Sequence, residues 1–69
     1  MIGVISRSLR DGSTVYWYAD REVWIADADL ASWYEYPHAT LLVMRKWPTD
    51  IDVAVEAHTR YVPVSHFDA

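Results

Sequence analysis

His38, His58 and His66 are the side chains best suited to proton transfer or metal binding. None stands four residues from another and none belongs to a close cluster, so the spacing of a metal site is missing. His58 alternates with Glu56 and Arg60 on the polar side of a strand-like run, which reads as a solvated face. His66 and Asp68 could hold an adventitious ion and no more. The carboxylate pairs Asp27/Asp29 and Asp50/Asp52 fall at element boundaries, where Asp caps helices and closes turns. No nucleophile-elbow pattern surrounds any serine. Gly3 and Gly12 are too far apart to build a phosphate-cradling loop. A chain of 69 residues can hardly enclose a catalytic cavity of the usual few hundred Å3. The expectation is a non-catalytic chain with no cofactor.

Aromatic side chains carry the strongest remaining signal. Four Trp, five Tyr and one Phe are present, and cysteine is absent. A domain of this size buries only about 60% of its unfolded surface, and no disulfide framework can help it. Large aromatic side chains supply the burial such a chain needs. They are read first as core and second as a binding surface.

Residues 14–26 concentrate them. Thr14–Ala19 and Glu22–Ala26 are β-branched and aromatic runs separated by Asp20-Arg21, a hairpin pattern. Upstream, residues 2–9 read as a first strand. Asp11-Gly12 suits a two-residue type I′ turn, which places Arg7 opposite Tyr16 and Ile5 opposite Tyr18. Across the second turn Trp17 faces Trp24, Tyr16 faces Ile25 and Tyr18 faces Val23. Both faces of this hairpin are apolar and each needs cover. Trp17, Trp24 and Trp33 are expected in the core, with Trp47 at its border.

Residues 27–36 offer Asp27 or Asp29 as an N-cap and Leu30, Trp33 and Tyr34 at helical spacing. They predict a helix of about two turns, ended by Pro37. Residues 39–47 fit strand or helix and are read as a strand pairing with 51–62, whose alternation is clean. Trp47 then faces Ile51, or Met44 faces Val53, depending on the turn at Pro48-Thr49-Asp50. Pro63 ends pairing or marks an edge, and residues 64–69 are expected to form a loose tail of a single domain, 1–69.

The expected architecture is α+β, mainly β. Five short antiparallel strands in the order β-β-β-α-β-β form a twisted sheet or small open barrel with one short helix. With its helix between strands three and four, that order parallels the oligonucleotide/oligosaccharide-binding fold. The parallel is one of element order only, and the net charge of −4 runs against nucleic-acid binding.

Charge is unevenly placed. Asp20, Glu22, Asp27, Asp29 and Glu35 oppose Arg21 alone within residues 20–36. No stretch approaches the ~20 apolar residues of a membrane span. The N-terminus lacks the basic start and apolar run of a secretory signal, which points to the cytoplasm. Arg7, Tyr16 and Tyr18 are expected to form a partner-binding face, with Arg7 stacked on Tyr16. Asp27, Asp29, Glu35 and Tyr36 are expected to form an acidic, aromatic surface suited to a basic site on a protein partner.

The functional expectation is a small acidic protein-binding module, homodimeric, of the kind phage and mobile elements use to inhibit or adapt a larger host protein. Two alternatives stand beside it. One is an oligonucleotide- or glycan-binding barrel using exposed aromatics; the other is a structural subunit of an oligomeric assembly.

Overall fold

The computed structural model describes residues 1–58. The run Gly3-Val4-Ile5-Ser6 is buried throughout, which demands cover on both faces and both edges. It forms the middle of β1 (Ile2–Ser8), the strand around which the sheet is built. After it come β2 (Thr14–Tyr18), β3 (Val23–Ile25), a 3-10 turn (Ala28–Leu30), β4 (Trp33–Glu35), α1 (Tyr36–Lys46) and β5 (Val53–His58).

All pairings are antiparallel. β5 runs along one edge of β1, from Ile2 opposite His58 to Arg7 opposite Val53. On the other edge β2 pairs with Ser6–Ser8 and β4 with Ile2–Val4, so these two strands lie end to end. β3 extends the sheet beyond β2. Ser32 fills the junction between β2 and β4. Its N–H donates to the Trp17 carbonyl at 2.9 Å, and its hydroxyl accepts from Ala19 N–H at 2.8 Å. A buried serine with both groups paired closes a gap that would otherwise leave backbone polar groups unsatisfied.

The expected class holds: the described residues form five antiparallel strands in an open sheet with one helix, mainly β. The element order differs, because the helix follows strand four. Of residues 27–36, expected as a helix, Ala28–Leu30 form the 3-10 turn, Trp33–Glu35 form β4 and Tyr36 begins α1, while 39–47 lie in α1 and its C-cap in place of a strand. Pro37 is the cause. Proline breaks a helix interior but suits the first turn, where its missing N–H has no partner to lose. It starts a helix here. The element-order parallel with the oligonucleotide/oligosaccharide-binding fold falls with that expectation. β5 is a strand as expected, yet it pairs with β1, since α1 leaves no strand beside it. The expectations for residues 59–69, including the strand's extension, Pro63, the tail and His66 with Asp68, lie outside the described residues.

The first turn also differs. Leu9 N–H donates to Ser13 O at 2.8 Å and Gly12 N–H to Leu9 O at 3.0 Å, closing a loop over Arg10, Asp11 and Gly12. Gly12 has φ +89°, the left-handed residue of a three-residue loop. One extra loop residue moves the register by one, so Tyr16 faces Ser6 and Val15 faces Arg7. Beyond Tyr18 the second register is as expected: Trp17 faces Trp24, Tyr16 faces Ile25 and Tyr18 faces Val23.

The register creates two apolar layers. On the α1 side Ile5, Trp17, Tyr34, Ala39 and Val53 are buried together, bordered by Trp24, Leu42, Val43, Trp47 and Val55. On the opposite side Val4, Ala31 and Trp33 form a smaller cluster, with Ile2, Tyr16 and Ile25 beside them. Trp33 Nε1 donates to Ala28 O at 2.9 Å, tying the 3-10 turn over this second face. Gly3 leaves room for the Val55 side chain of β5, since a Cβ there would lie 2.8 Å from Val55 Cγ1.

Candidate binding surface

α1 has apolar side chains on two sides. Ala39, Leu42 and Val43 recur at i, i+3 and i+4 and face the sheet. At 3.6 residues per turn, Pro37, Leu41 and Met44 stack at i, i+4 and i+7 on the other side, flanked by His38 and Arg45. All five are exposed; Leu41 is 55% and Met44 68% accessible. The helix is well terminated. Thr40 Oγ1 donates to Pro37 O at 2.8 Å in its first turn. Arg45 and Lys46 lie in its last turn, where the dipole favours cations. Trp47 N–H closes the end on Val43 O at 2.9 Å, and Pro48 follows. Ile51, beyond the helix, is fully exposed.

Trp47 leads from this helix end to an aromatic cluster. Trp17, Trp24 and Trp47 form a triangle with centroid separations of 5.3, 5.0 and 5.2 Å, in tilted and edge-on arrangements. Cations lie over the rings. The Arg7 guanidinium is 4.7 Å from the Trp24 centroid, and Lys46 Nζ is 5.4 Å from Trp17 and 5.8 Å from Trp47. Arg7 also donates to Asp50 and lies 3.4 Å from Asp52; Lys46 Nζ is 3.8 Å from Glu22. These contacts fasten β1, β2, β3, the helix end and the 48–52 turn together. Arg7 therefore stacks on Trp24 and is on the opposite face of the sheet from Tyr16, which corrects the expected Arg7–Tyr16 pair.

The expected partner-binding residues are spread over the molecule. Tyr16 and Tyr18 are half-buried on the Trp33 side of the sheet. Burial raises the Tyr16 hydroxyl above the ordinary tyrosine range, and the Glu56 carboxylate adds to the effect. His58 packs edge-on against Trp33 at 5.0 Å, with Nε2 3.8 Å from Glu56. Asp27 caps the 3-10 turn by accepting from Asp29 N–H at 2.9 Å, and Asp29 is exposed in that turn. Glu35 is the exposed residue before α1 and makes no side-chain capping bond. Tyr36, half-buried, begins the helix against Gly3. Asp27 and Asp29 are thus together on one segment, and Glu35 and Tyr36 on another. Leu41, Met44 and Arg45 were missed from sequence, although the spacing Pro37, Leu41, Met44 already fits a helical face.

Among the described residues no group of three His, Cys, Asp or Glu side chains could hold a metal ion. No described helix is long and apolar enough to cross a membrane. No protein-family model, curated protein or solved structure matches the chain.

Proposed function

We propose that this chain is a small, acidic, non-catalytic protein-binding module that engages its partner through the outward side of α1. One observation carries the reading: a two-sided apolar helix whose inner row is used by the core while Leu41 and Met44 stay in water. A helix face of apolar anchors at i, i+4 and i+7 is the pattern by which helices seat in partner grooves. Arg45, exposed beside Leu41 and Met44, gives that face a basic rim. The aromatic residues support the same reading, because Trp17, Trp33 and Tyr34 are committed to burial in the fold. An inhibitor or adaptor acting on a larger protein in the cytoplasm suits a module of this size.

Affinity capture from the source cell's lysate tests it, using the native chain beside the double variant Leu41→Glu, Met44→Glu. The native chain is expected to recover a specific protein, or a second copy of itself, that the folded double variant loses. Recovery of the same proteins by both chains places binding elsewhere and refutes the reading.

A further inference from the structure

β1 is paired along both of its edges, whereas β5 is paired along one. Ser8 N–H donates to Asp52 O at 3.0 Å, and antiparallel pairing alternates, so Asp52, Ala54, Glu56 and His58 turn their backbone groups to β1. Val53, Val55 and Ala57 turn theirs to the outer edge. Val53 N–H is taken, donating to Asp50 O at 3.3 Å. The N–H groups of Val55 and Ala57, and the carbonyls of Val53, Val55 and Ala57, have no partner among the described residues. This edge is six residues long and in continuous register with β1, with no Pro, Lys or bulge to blunt it. Ala54 and Ala57 are exposed and small, which leaves room beside the edge for another strand. Unpaired backbone groups in this pattern are a template for β-strand addition.

We infer that the strand added here is β5 of a second copy, antiparallel about a two-fold axis through Val55, so that two sheets become one. A two-fold contact needs a surface complementary to itself, and this register supplies it. Val55 exchanges both bonds with Val55 of the second copy, and Ala57 N–H of each chain donates to Val53 O of the other. Both free N–H groups of each edge thereby gain an acceptor. On the α1 side Val53 lies opposite Ala57 and Val55 opposite its own copy. On the Trp33 side Ala54 lies opposite Glu56. Moving the axis forward by one residue sets Glu56 against Glu56, and like charges directly opposite are destabilising. Moving it back by one sets Ala57 against Ile51, outside the strand. A single edge buries less than the roughly 800 Å2 per partner of a standard interface. The dimer is therefore a weak one, dissociating in the micromolar range or above.

Sedimentation equilibrium and amide hydrogen exchange of the full chain, from micromolar to millimolar concentration, test it, with thermal melts showing that each variant is folded. The native mass is expected to rise from 8.0 kDa toward twice that value, while exchange at Val55 and Ala57 slows. Ala57→Pro removes an N–H that β1 does not use, and should weaken the dimer about tenfold. Where that variant does not fold, exposed Ala54 decides. Ala54→Glu sets carboxylates opposite one another across the seam and should weaken the dimer about fivefold, whereas Ala54→Lys should strengthen it about threefold. A native chain that stays at 8.0 kDa overturns the inference, and slow Val55 and Ala57 exchange in that monomer would show the edge covered within one chain. A dimer in which these two amides exchange as fast as in the monomer overturns it, as does one that ignores the sign of the charge at position 54. The α1 reading fails separately. Leu41→Glu, Met44→Glu should dimerise as the native chain does, and loss of the dimer in that variant would place self-association on α1 and refute the β5 seam.

Discussion

The two sides of α1 are made of the same kinds of residue and have opposite fates. Ala39, Leu42 and Val43 meet Ile5, Trp17 and Tyr34 and belong to the fold. Pro37, Leu41 and Met44, one step around the same helix, meet no core. Folding accounts for the first row. The second is unexplained by stability, since exposed apolar side chains gain nothing from staying in water. Residues that differ by a single position, Leu41 and Leu42, separate the row that holds this protein together from the row left in water.

Substitutions can break or sharpen that contrast. The largest effect is expected from Ala39→Glu. It forces a carboxylate into a fully buried site among Ile5, Trp17 and Val53, at a cost of several kcal/mol. That is enough to unfold a domain of marginal stability, and circular dichroism would show the loss directly. If Ala39→Glu folds normally, the inward row is wrongly assigned.

Ser32→Ala should cost about 1–3 kcal/mol in urea unfolding, because it strands the Ala19 N–H at the β2–β4 junction. A change below a few tenths would mean that the junction contributes little and that α1 alone organises β4.

Tyr16 gives the opposite layer a pH signature. Its folded pKa is raised, by burial first and then by Glu56. Folding therefore favours the neutral phenol, and the contribution is fully present below the unfolded tyrosine value near 10. It is lost as pH rises through the folded value. Native stability should fall above about pH 10, and Tyr16→Phe should flatten part of that fall in urea titrations. An identical alkaline slope in the variant would remove Tyr16 from the packed layer.

The smallest effect is a gain. Glu22 holds φ at +53° where β2 turns into β3, a conformation unfavourable for a side chain with a Cβ. Its ion pair with Lys46 is long and exposed and offsets little of that strain. Glu22→Gly should raise stability by about 0.5 kcal/mol. A loss in its place would show that the Lys46 contact anchors the tryptophan triangle.

Much of the sheet was legible in the residues. Alternation and aromatic density located β1, β2, β3 and β5, and the Trp17–Trp24 pair followed from them. Three features were not legible, each for a physical reason. Asp11-Gly12 fits both a two- and a three-residue turn, and only the closing Leu9–Ser13 pair decides which. That choice reversed the sides assigned to Tyr16 and Trp17 relative to Arg7. Pro37 is compatible with the end of one helix or the start of another, so the same residue supported the wrong element. Finally, β5 shows its strand character in its own sequence but not its partner, which the position of α1 determines. The candidate surface was hidden by the second of these. Leu41 and Met44 mean nothing as a face until residues 36–46 are a helix.

Urea unfolding of native, Leu41→Glu and Leu42→Glu chains tests the division of α1 most directly. At low micromolar concentration the native and Leu41→Glu chains should unfold with stabilities within about 0.5 kcal/mol of each other. The neighbouring Leu42→Glu, placed against the core, should lose several kcal/mol in the same titration. A Leu41→Glu chain destabilised as much as Leu42→Glu would put Leu41 in the core and contradict the division.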